Sequence, residues 1–338
     1  MKTRRIGRTA LEVTEYGFGG ASLGNLYEVV SRDNAMAALD AAWIAGMRYF
    51  DTAPHYGFGL SERRFGDYLR GKARDSYVLS TKVGRLLKPV PEDQVPDLGF
   101  VDPLPFKLEY DYSYDGIMRS VEFSYARLGL NRIDILYVHD IGVYTHGVEL
   151  TKAHLAQLLD GGLKALEELK SDGTISAYGL GVNEVEVCLN VMRRAPLDCI
   201  LLAGRYSLLD RSAEAELIPL CRETGTSLVI GGVFNSGILA TGARPGSHFD
   251  YRAAPHDVLD KVGAMEGIAT AGGYPLAAAA MQFPLAEPVV ATVLIGTAKA
   301  SSLQRNMTLL ETTVPNAEYG RYRPHTIVQP PLTGAVRE

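Results

Sequence analysis

The feature that most constrains the fold is an alternation of short aliphatic runs with amphipathic helical stretches, which continues almost to the end of the chain. Strands joined by crossover helices form a parallel sheet, and eight such units predict closure into a (β/α)8 TIM barrel. We expect residues 1–338 to form one such domain, because barrels often exceed the usual domain size. The eight predicted strands are Val13–Phe18, Met47–Asp51, Tyr77–Thr81, Ile133–His139, Ala177–Val182, Cys199–Ala203, Ser227–Ile230 and Thr292–Ile295.

Helix punctuation supports this segmentation. Ser31 is placed to cap a helix, and Gly46 and Gly129 fall where helices should end. The predicted helices are Ser31–Ala45, Ser61–Leu69, Tyr114–Leu128, Gly162–Lys170, Glu184–Arg193, Ala213–Thr224 and Tyr274–Phe283. Two further stretches, Lys88–Tyr112 and a Pro-rich tail over 315–338, are expected to be long irregular segments at the C-terminal face of the barrel.

Composition limits the classes of partner. The net charge is only -5 and no basic block occurs, which argues against nucleic acid or an anionic membrane surface. The most apolar stretch, Leu276 to Gly296, is interrupted by Pro284, Glu287 and Pro288, a pattern of helix, turn and strand. Three irregularly spaced cysteines indicate inert thiols in a reducing compartment rather than a disulfide framework. With no apolar signal region at the start, we expect a cytoplasmic protein.

Polar side chains converge at three neighbouring strand ends. Asp51 ends the second predicted strand and Tyr56 follows in its loop, Lys82 directly follows the third, and His139 ends the fourth. A parallel barrel brings such positions together at one mouth. A free tyrosine has a pKa near ~10, but a lysine beside the phenol stabilises phenolate, and an aspartate can fix the lysine. A neighbouring histidine can orient a carbonyl or alcohol, so the set predicts carbonyl–alcohol proton transfer.

Taken singly, each of these residues has an ordinary explanation as a cap, a packing residue or a solvated side chain; only their coincidence points to a site. The run Gly17-Phe18-Gly19-Gly20 is glycine-rich after a strand, as a dinucleotide-binding turn would be, but it lacks the GxGxxG spacing and does not lead directly into a helix. Close backbone approach at a barrel mouth explains these glycines better.

The motif Asp51-Thr52-Ala53-Pro54-His55-Tyr56-Gly57 resembles the strand-two signature of the aldo-keto reductase family, and Lys82 and His139 stand where that family has its other catalytic residues. The resemblance extends over about residues 4 to 311, through Arg127-Leu128-Gly129, Ile133-Asp134-Ile135-Leu136, Gly181-Val182-Asn183 and Ile295-Gly296-Thr297 to Asn306. It implies that Tyr56 exchanges the substrate proton, that Lys82 and Asp51 lower its pKa, and that His139 orients the substrate oxygen.

The resemblance also implies a nicotinamide cofactor that exchanges hydride directly with the substrate, so that no metal is required. By the same resemblance Asn183 would hold the nicotinamide carboxamide. The complete set of implied cofactor residues is Gly20, Ala21, Asp51, Asn183, Phe234, Asn235, Gly237, Leu239, Gly296, Thr297, Ser302 and Asn306. Family members usually stack an aromatic side chain on the nicotinamide from the end of strand seven, where this chain has Gly231.

The choice between NAD and NADP depends on the last cofactor segment. Members that prefer NADP usually grip the 2′-phosphate with basic residues, including an arginine where this chain has Ser302. Lys299 and Arg305 are nearby, but Arg305 is taken to be out of helical phase with Ser302. Loss of a bidentate arginine–phosphate contact weakens NADP binding. We therefore expect NAD to be preferred, with NADP possible.

Three segments, Gly17–Tyr27, Tyr110–Ser120 and Gly231–Leu239, are most similar to the aldose 1-dehydrogenase branch, which includes L-fucose, D-galactose and D-threo-aldose dehydrogenases and a pyridoxal 4-dehydrogenase. The similarity implies oxidation of a cyclic hemiacetal to a lactone. A sugar site needs polar partners for each buried hydroxyl, because an unpaired group costs about 1–3 kcal/mol. Candidate substrate residues are Tyr27, His55, Asp140, His146 and Arg205.

Three alternatives remain open. The same fold could serve as a general aldehyde or ketone reductase. A cofactor-binding subunit without catalysis could regulate a partner, although the complete set of four residues argues against it. A Schiff-base aldolase could use Lys82 as nucleophile. The expected partner is a small-molecule sugar or aldehyde.

Overall fold

The computed structural model describes residues 1–250 and 252–330, and over these ranges eight parallel strands close into a barrel. The TIM barrel prediction is confirmed. Each strand pairs with its neighbours in chain order, and the last pairs with the first. The strands are β1 (Tyr16–Gly19), β2 (Tyr49–Asp51), β3 (Val78–Val83), β4 (Ile135–His139), β5 (Ala177–Val182), β6 (Cys199–Ala203), β7 (Ser227–Gly231) and β8 (Val290–Ile295).

Helices surround the barrel, and the capping residues identified in the sequence stand at their ends. The Ser31 hydroxyl accepts a hydrogen bond from the Asn34 amide at 3.2 Å, and Gly129 ends a helix with a left-handed φ of 61°. The α-helices are Arg32–Ile44, Leu60–Leu69, Tyr114–Leu128, Val143–Gln157, Leu163–Ser171, Val185–Met192, Leu217–Thr224, Ile238–Thr241, His256–Gly272, Leu276–Gln282, Ala300–Leu309 and Tyr319–Tyr322.

The first predicted strand, Val13–Phe18, merges two different elements. Glu12–Thr14 pairs antiparallel with Thr3–Arg5, and the barrel strand begins only at Tyr16. Ile6 and Val13 are buried in one cluster with barrel-interior residues such as Tyr137. The N-terminal hairpin therefore closes the bottom of the barrel, and because only Glu15 separates it from β1, the two strands look continuous in the sequence.

The segment Lys88–Tyr112 was predicted to be irregular, but part of it forms regular structure. Arg85–Pro89 and Phe106–Tyr110 pair as an antiparallel ribbon after β3. Two long helices were not predicted, Val143–Gln157 and His256–Gly272, and neither were the short helices Ile238–Thr241 and Tyr319–Tyr322. The first contains Gly147 at a non-helical φ of 68°, and the second contains interior glycines, so both depart from ordinary helical composition.

The predicted tail over 315–338 begins with short helical turns, and residues 331–338 lie outside the described residues. Its described end contacts the loop after β6. The side-chain Nε2 of Gln329 donates to Asp210 Oδ2 at 2.7 Å, and the backbone N–H of Gln329 donates to the Ser212 hydroxyl. This places the tail at the C-terminal face. In the described ranges, no helix has the length and apolar character needed to span a membrane.

Candidate active site

Asp51 and Lys82 form a buried ion pair at the ends of β2 and β3. Lys82 Nζ lies 2.7 Å from Asp51 Oδ2 and 2.9 Å from the carbonyl oxygen of Thr52, and the exposed side-chain fractions are 1% for Lys82 and 3% for Asp51. Burial alone would lower the pKa of Lys82, but Asp51 and Tyr56 raise it above its ordinary value. Lys82 is therefore held as a cation in the barrel mouth.

A chain of hydroxyl groups inside the barrel supports the other oxygen of Asp51. The Ser80 hydroxyl donates to Asp51 Oδ1 at 2.7 Å and contacts the Tyr49 hydroxyl at 2.9 Å, which lies 3.0 Å from the Tyr137 hydroxyl. All of these side chains are buried. Both carboxylate oxygens of Asp51 thus have fixed partners, which leaves the ion pair little freedom to rearrange.

Tyr56 is brought to Lys82 by a tight loop. Gly57 has a left-handed φ of 63°, and a Cβ added there would lie 2.4 Å from the Gly24 carbonyl oxygen, so only glycine fits. Lys82 Nζ lies 4.6 Å from the centre of the Tyr56 ring. Burial raises the pKa of Tyr56, and Lys82 opposes the increase through its charge and a hydrogen bond. Contrary to the expectation, the charge of Asp51 raises this pKa; Asp51 helps only by holding Lys82.

His139 faces Tyr56 edge-on, with ring centres 5.9 Å apart. Burial lowers the pKa of His139 well below its ordinary range, and the nearby cations Arg85 and Lys82 lower it further, so the ring is neutral. Nε2 lies 3.4 Å from Asp140 Oδ2, whereas the buried Nδ1 has no hydrogen-bond partner among the described residues. A carboxylate beside Nε2 favours the tautomer with its proton there, which makes His139 a hydrogen-bond donor.

The Tyr56 phenol is covered by an aromatic side chain, Phe100, that the sequence motifs do not identify. Phe100 lies 5.1 Å from His55 and 6.5 Å from Tyr56, measured between ring centres. Its segment is brought over the mouth by an antiparallel bridge between Phe100 and Leu26. Because this pairing joins two loops distant in sequence, no local pattern identifies it.

The five predicted substrate residues separate into two groups. His55 and Asp140 lie beside His139, and Tyr27 is an exposed side chain on the loop after β1. His146 is buried behind the site, where its Nε2 contacts the Tyr112 hydroxyl at 2.9 Å. Arg205 is buried against Asp250 Oδ1 at 3.1 Å and near Asp210, so its charge is already matched. The last two therefore have clear structural roles.

The mouth between β7, β8 and β1 contains small residues that protein packing does not require. A Cβ added to Gly19 or Gly231 would meet no atom closer than 3.6 Å. At both positions the added atom would make only ordinary van der Waals contacts, so packing does not demand glycine there, although Gly231 itself is buried. Gly20 differs: a Cβ there would lie 2.5 Å from the Phe65 ring, so its glycine is explained by packing against the neighbouring helix. Ala21 starts a short turn beside it, and Asn183 is half-buried directly after β5.

Much of the loop after β7 is held by the protein itself. Asn235 is buried, accepts a hydrogen bond from the Ser207 hydroxyl and donates to the Gly204 carbonyl at 3.2 Å. Leu239 is buried in the core, and Phe234 packs against the same core. Gly237 has a φ of 96° with nothing within 4 Å of an added Cβ. Of this predicted cofactor set, Phe234 and Gly237 are half-buried, whereas Asn235 and Leu239 are buried.

The helix Ala300–Leu309 corrects the expectation about Arg305. Its guanidinium donates to the Ser302 hydroxyl at 2.8 Å, so the two residues share one face of the helix. Residues three apart on a helix are neighbours, and the assumed difference in phase was wrong. Lys299, at the start of this helix, instead pairs with Glu28 at 3.3 Å. Gly296 and Thr297 precede the helix, and Asn306 is half-buried within it.

A parallel barrel with a buried Asp–Lys pair beside a tyrosine and a neutral histidine at its C-terminal mouth defines the class of barrel oxidoreductases that transfer a proton at tyrosine. The model of the Aldo/keto reductase family matches residues 15–326. The chain belongs to the aldo/keto reductase family. It is therefore an oxidoreductase of the kind that uses a nicotinamide cofactor, and the family prediction is confirmed.

Relatives share most of the chain. It is 46% identical to a pyridoxal 4-dehydrogenase of Microbacterium luteolum, over 93% of this chain and 94% of that protein. It is 40% identical to a D-threo-aldose 1-dehydrogenase of a Pseudomonas species, over 88% and 89%. A solved structure, the holo form of aldo-keto reductase AKR11C1 from Bacillus halodurans, is 29% identical with a TM-score of 0.76 and covers 97% of each chain.

Proposed function

We propose that this chain oxidises the cyclic hemiacetal of an aldose, of the L-fucose, D-galactose or D-threo-aldose type, at the anomeric carbon to the lactone. The observation that carries the proposal is the contact of Lys82 with the Tyr56 ring beside the buried Asp51. A phenolate stabilised in this way can remove the anomeric hydroxyl proton. The similarity to a D-threo-aldose 1-dehydrogenase supports an aldose as the substrate.

Each residue has a separate role in this proposal. Tyr56 accepts the proton from the anomeric hydroxyl, and Lys82 stabilises the phenolate that must form first. Asp51 keeps Lys82 in place, and His139 donates a hydrogen bond to the reacting oxygen. When bound, the nicotinamide accepts the hydride from the anomeric carbon.

We propose NAD as the preferred cofactor, with NADP also accepted. Asn183 would hold the carboxamide, and Gly296, Thr297 and the start of the helix Ala300–Leu309 would receive the phosphates, because a helix N-terminus favours an anion. Ser302 offers a neutral hydroxyl toward the adenosine end. Arg305 supplies an adjacent guanidinium that would support residual use of NADP.

Pyridoxal is the second candidate substrate, favoured by one specific feature of the site. The ring centres of Phe100, His55 and Tyr56 lie within 6.5 Å of one another at the mouth. These rings can pack against an aromatic substrate. The 46% identity to a pyridoxal 4-dehydrogenase points the same way.

The test is a screen of L-fucose, D-galactose, D-threo-aldoses and pyridoxal with NAD+ and NADP+, with formation of reduced cofactor as the readout. We expect oxidation of at least one of these compounds and its loss in Tyr56→Phe, while Tyr68→Phe, a tyrosine remote from the mouth, keeps full activity. Reduction of simple aldehydes without oxidation of any of these compounds would instead identify a general carbonyl reductase.

A further inference from the structure

A second ion pair lies beside the catalytic histidine. Arg85 follows the end of β3 and Asp140 follows the end of β4, and the Arg85 guanidinium lies 2.8 Å from Asp140 Oδ2. The same carboxylate oxygen lies 3.4 Å from His139 Nε2. The exposed side-chain fractions are 4% for Arg85 and 21% for Asp140, so the carboxylate is the part that opens to the mouth.

Holding the fold together does not by itself explain this pair. A buried ion pair is seldom more stabilising than apolar packing of the same size. Asp140 has a left-handed φ of 40°, a conformation that aspartate and asparagine tolerate better than most side-chain-bearing residues. Arg85 Nε is buried without a hydrogen-bond partner among the described residues. The protein therefore holds the Arg85 charge in place without satisfying all of its donors.

The position of Asp140 relative to His139 indicates which substrate atom it would meet. An oxygen that accepts a hydrogen bond from His139 Nε2 is adjacent to the carboxylate, since the two side-chain atoms are 3.4 Å apart. In an aldose the oxygen on the neighbouring carbon is separated from the reacting oxygen by about one hydrogen-bond length. A hydroxyl there can donate to the exposed carboxylate of Asp140, which Arg85 holds in place.

We propose that Asp140 and Arg85 form the subsite for a hydroxyl on the carbon next to the reacting carbon. The enzyme then selects 2-hydroxy aldehydes and their hemiacetals over 2-deoxy analogues. This inference rests on the proposed oxidation of aldoses for its physiological substrate. The contact itself also operates when a hydroxyaldehyde is reduced, because the reacting oxygen occupies the same place.

The experiment compares matched substrate pairs in both directions. One pair is the best aldose from the screen and its 2-deoxy analogue, oxidised with NAD+; the other is lactaldehyde and propanal, reduced with NADH. We expect the wild type to prefer the hydroxylated member by at least about tenfold in kcat/KM, because a site built to bind a hydroxyl discriminates against the analogue that lacks it. In Asp140→Asn this preference falls at least about tenfold, mainly through the hydroxylated member.

Asparagine tolerates the left-handed backbone of Asp140, and Arg85→Lys provides a second variant that keeps the positive charge. The control is Lys88→Gln, which removes a cation from the exposed pair with Glu109 on the same ribbon and should leave the preference unchanged. An equal fall in kcat for both members in Asp140→Asn and Arg85→Lys would overturn the subsite, since it would mean that the pair only positions His139. If no aldose is oxidised but the lactaldehyde preference still depends on Asp140, the subsite holds and the proposed function fails.

Discussion

Lys82 Nζ contacts Asp51 Oδ2 at 2.7 Å, and both side chains are almost completely excluded from solvent. Removing one member of such a buried pair strongly destabilises the fold, because the remaining charge keeps its desolvation penalty and loses its partner. Its positions at the ends of adjacent parallel strands fix the distance between the two groups. The pair therefore links the stability of the barrel mouth to its chemistry.

We expect Asp51→Asn to destabilise the fold by about 3–5 kcal/mol, because Lys82 is left as an uncompensated buried cation. The double variant Asp51→Asn with Lys82→Met should recover much of that stability without recovering activity. Urea unfolding and steady-state kinetics on the same preparations measure both effects. Removing the exposed Lys152–Glu149 pair is the control and should change stability by less than about 1 kcal/mol. A double variant no more stable than Asp51→Asn would contradict this account.

Oxidation should become faster as the pH rises toward the alkaline range. Tyr56 must lose its proton to act as base, and burial raises its pKa above the ordinary value near 10 despite the opposing effect of Lys82. Lys82→Met removes that effect, so the alkaline limb of kcat/KM should move to still higher pH. His139 should add no inflection near its ordinary pKa of about 6.5, because burial keeps the ring neutral. Profiles that are identical for wild type and Lys82→Met would show that the lysine does not act on the phenol.

The barrel and the four converging side chains were predictable because they depend on local repetition. Each strand is short and aliphatic, and its polar residue stands at its end, so parallel packing alone brings Asp51, Lys82 and His139 to one mouth. Arg85 also directly follows Gly84 after a strand, which is a usable signal. Arg85 matches no motif of the family, so the resemblance does not single it out.

Other parts of the site depend on contacts that sequence periodicity does not encode. Phe100 reaches the mouth through a bridge to Leu26, which joins two loops. The hydroxyl chain that supports Asp51 depends on side chains of β2, β3 and β4 meeting inside the barrel, so register and tilt decide it. The prediction that Arg305 and Ser302 lie on different faces of the helix was wrong for a geometric reason, since residues three apart on a helix are neighbours.

Glu184 is predicted to make stability depend on pH near neutrality. It is buried beside Asp140, accepts a hydrogen bond from the Tyr144 amide at 2.9 Å, and has its pKa raised by burial from 4.5 to about 7. The folded chain therefore holds this proton more tightly than the unfolded chain. The stabilisation is fully present below the unfolded pKa of 4.5 and is lost as the pH rises through about 7.

Glu184→Gln keeps an oxygen for the Tyr144 amide but removes the titration. We expect its Tm to exceed that of the wild type more at about pH 8 than at about pH 5. Glu186→Gln, at an exposed carboxyl in the helix that begins directly after Glu184, is the matched control. A Tm difference that is equal at the two pH values would show that Glu184 titrates as an ordinary carboxyl.

The contact between Arg305 and Ser302 predicts how the chain distinguishes the two cofactors. A guanidinium that binds a phosphate contributes a charge-assisted hydrogen bond worth about 1.5–3 kcal/mol, so Arg305→Gln should lower kcat/KM with NADP+ by at least about tenfold. With NAD+, which lacks the 2′-phosphate, the change should stay within about twofold. Ser302→Arg should act in the opposite direction, since it adds a second guanidinium on the same face of the helix. Arg63→Gln, an exposed arginine on the helix Leu60–Leu69, serves as the matched control. An equal decrease in kcat/KM with both cofactors in Arg305→Gln would mean that this arginine stabilises the helix rather than binding the 2′-phosphate.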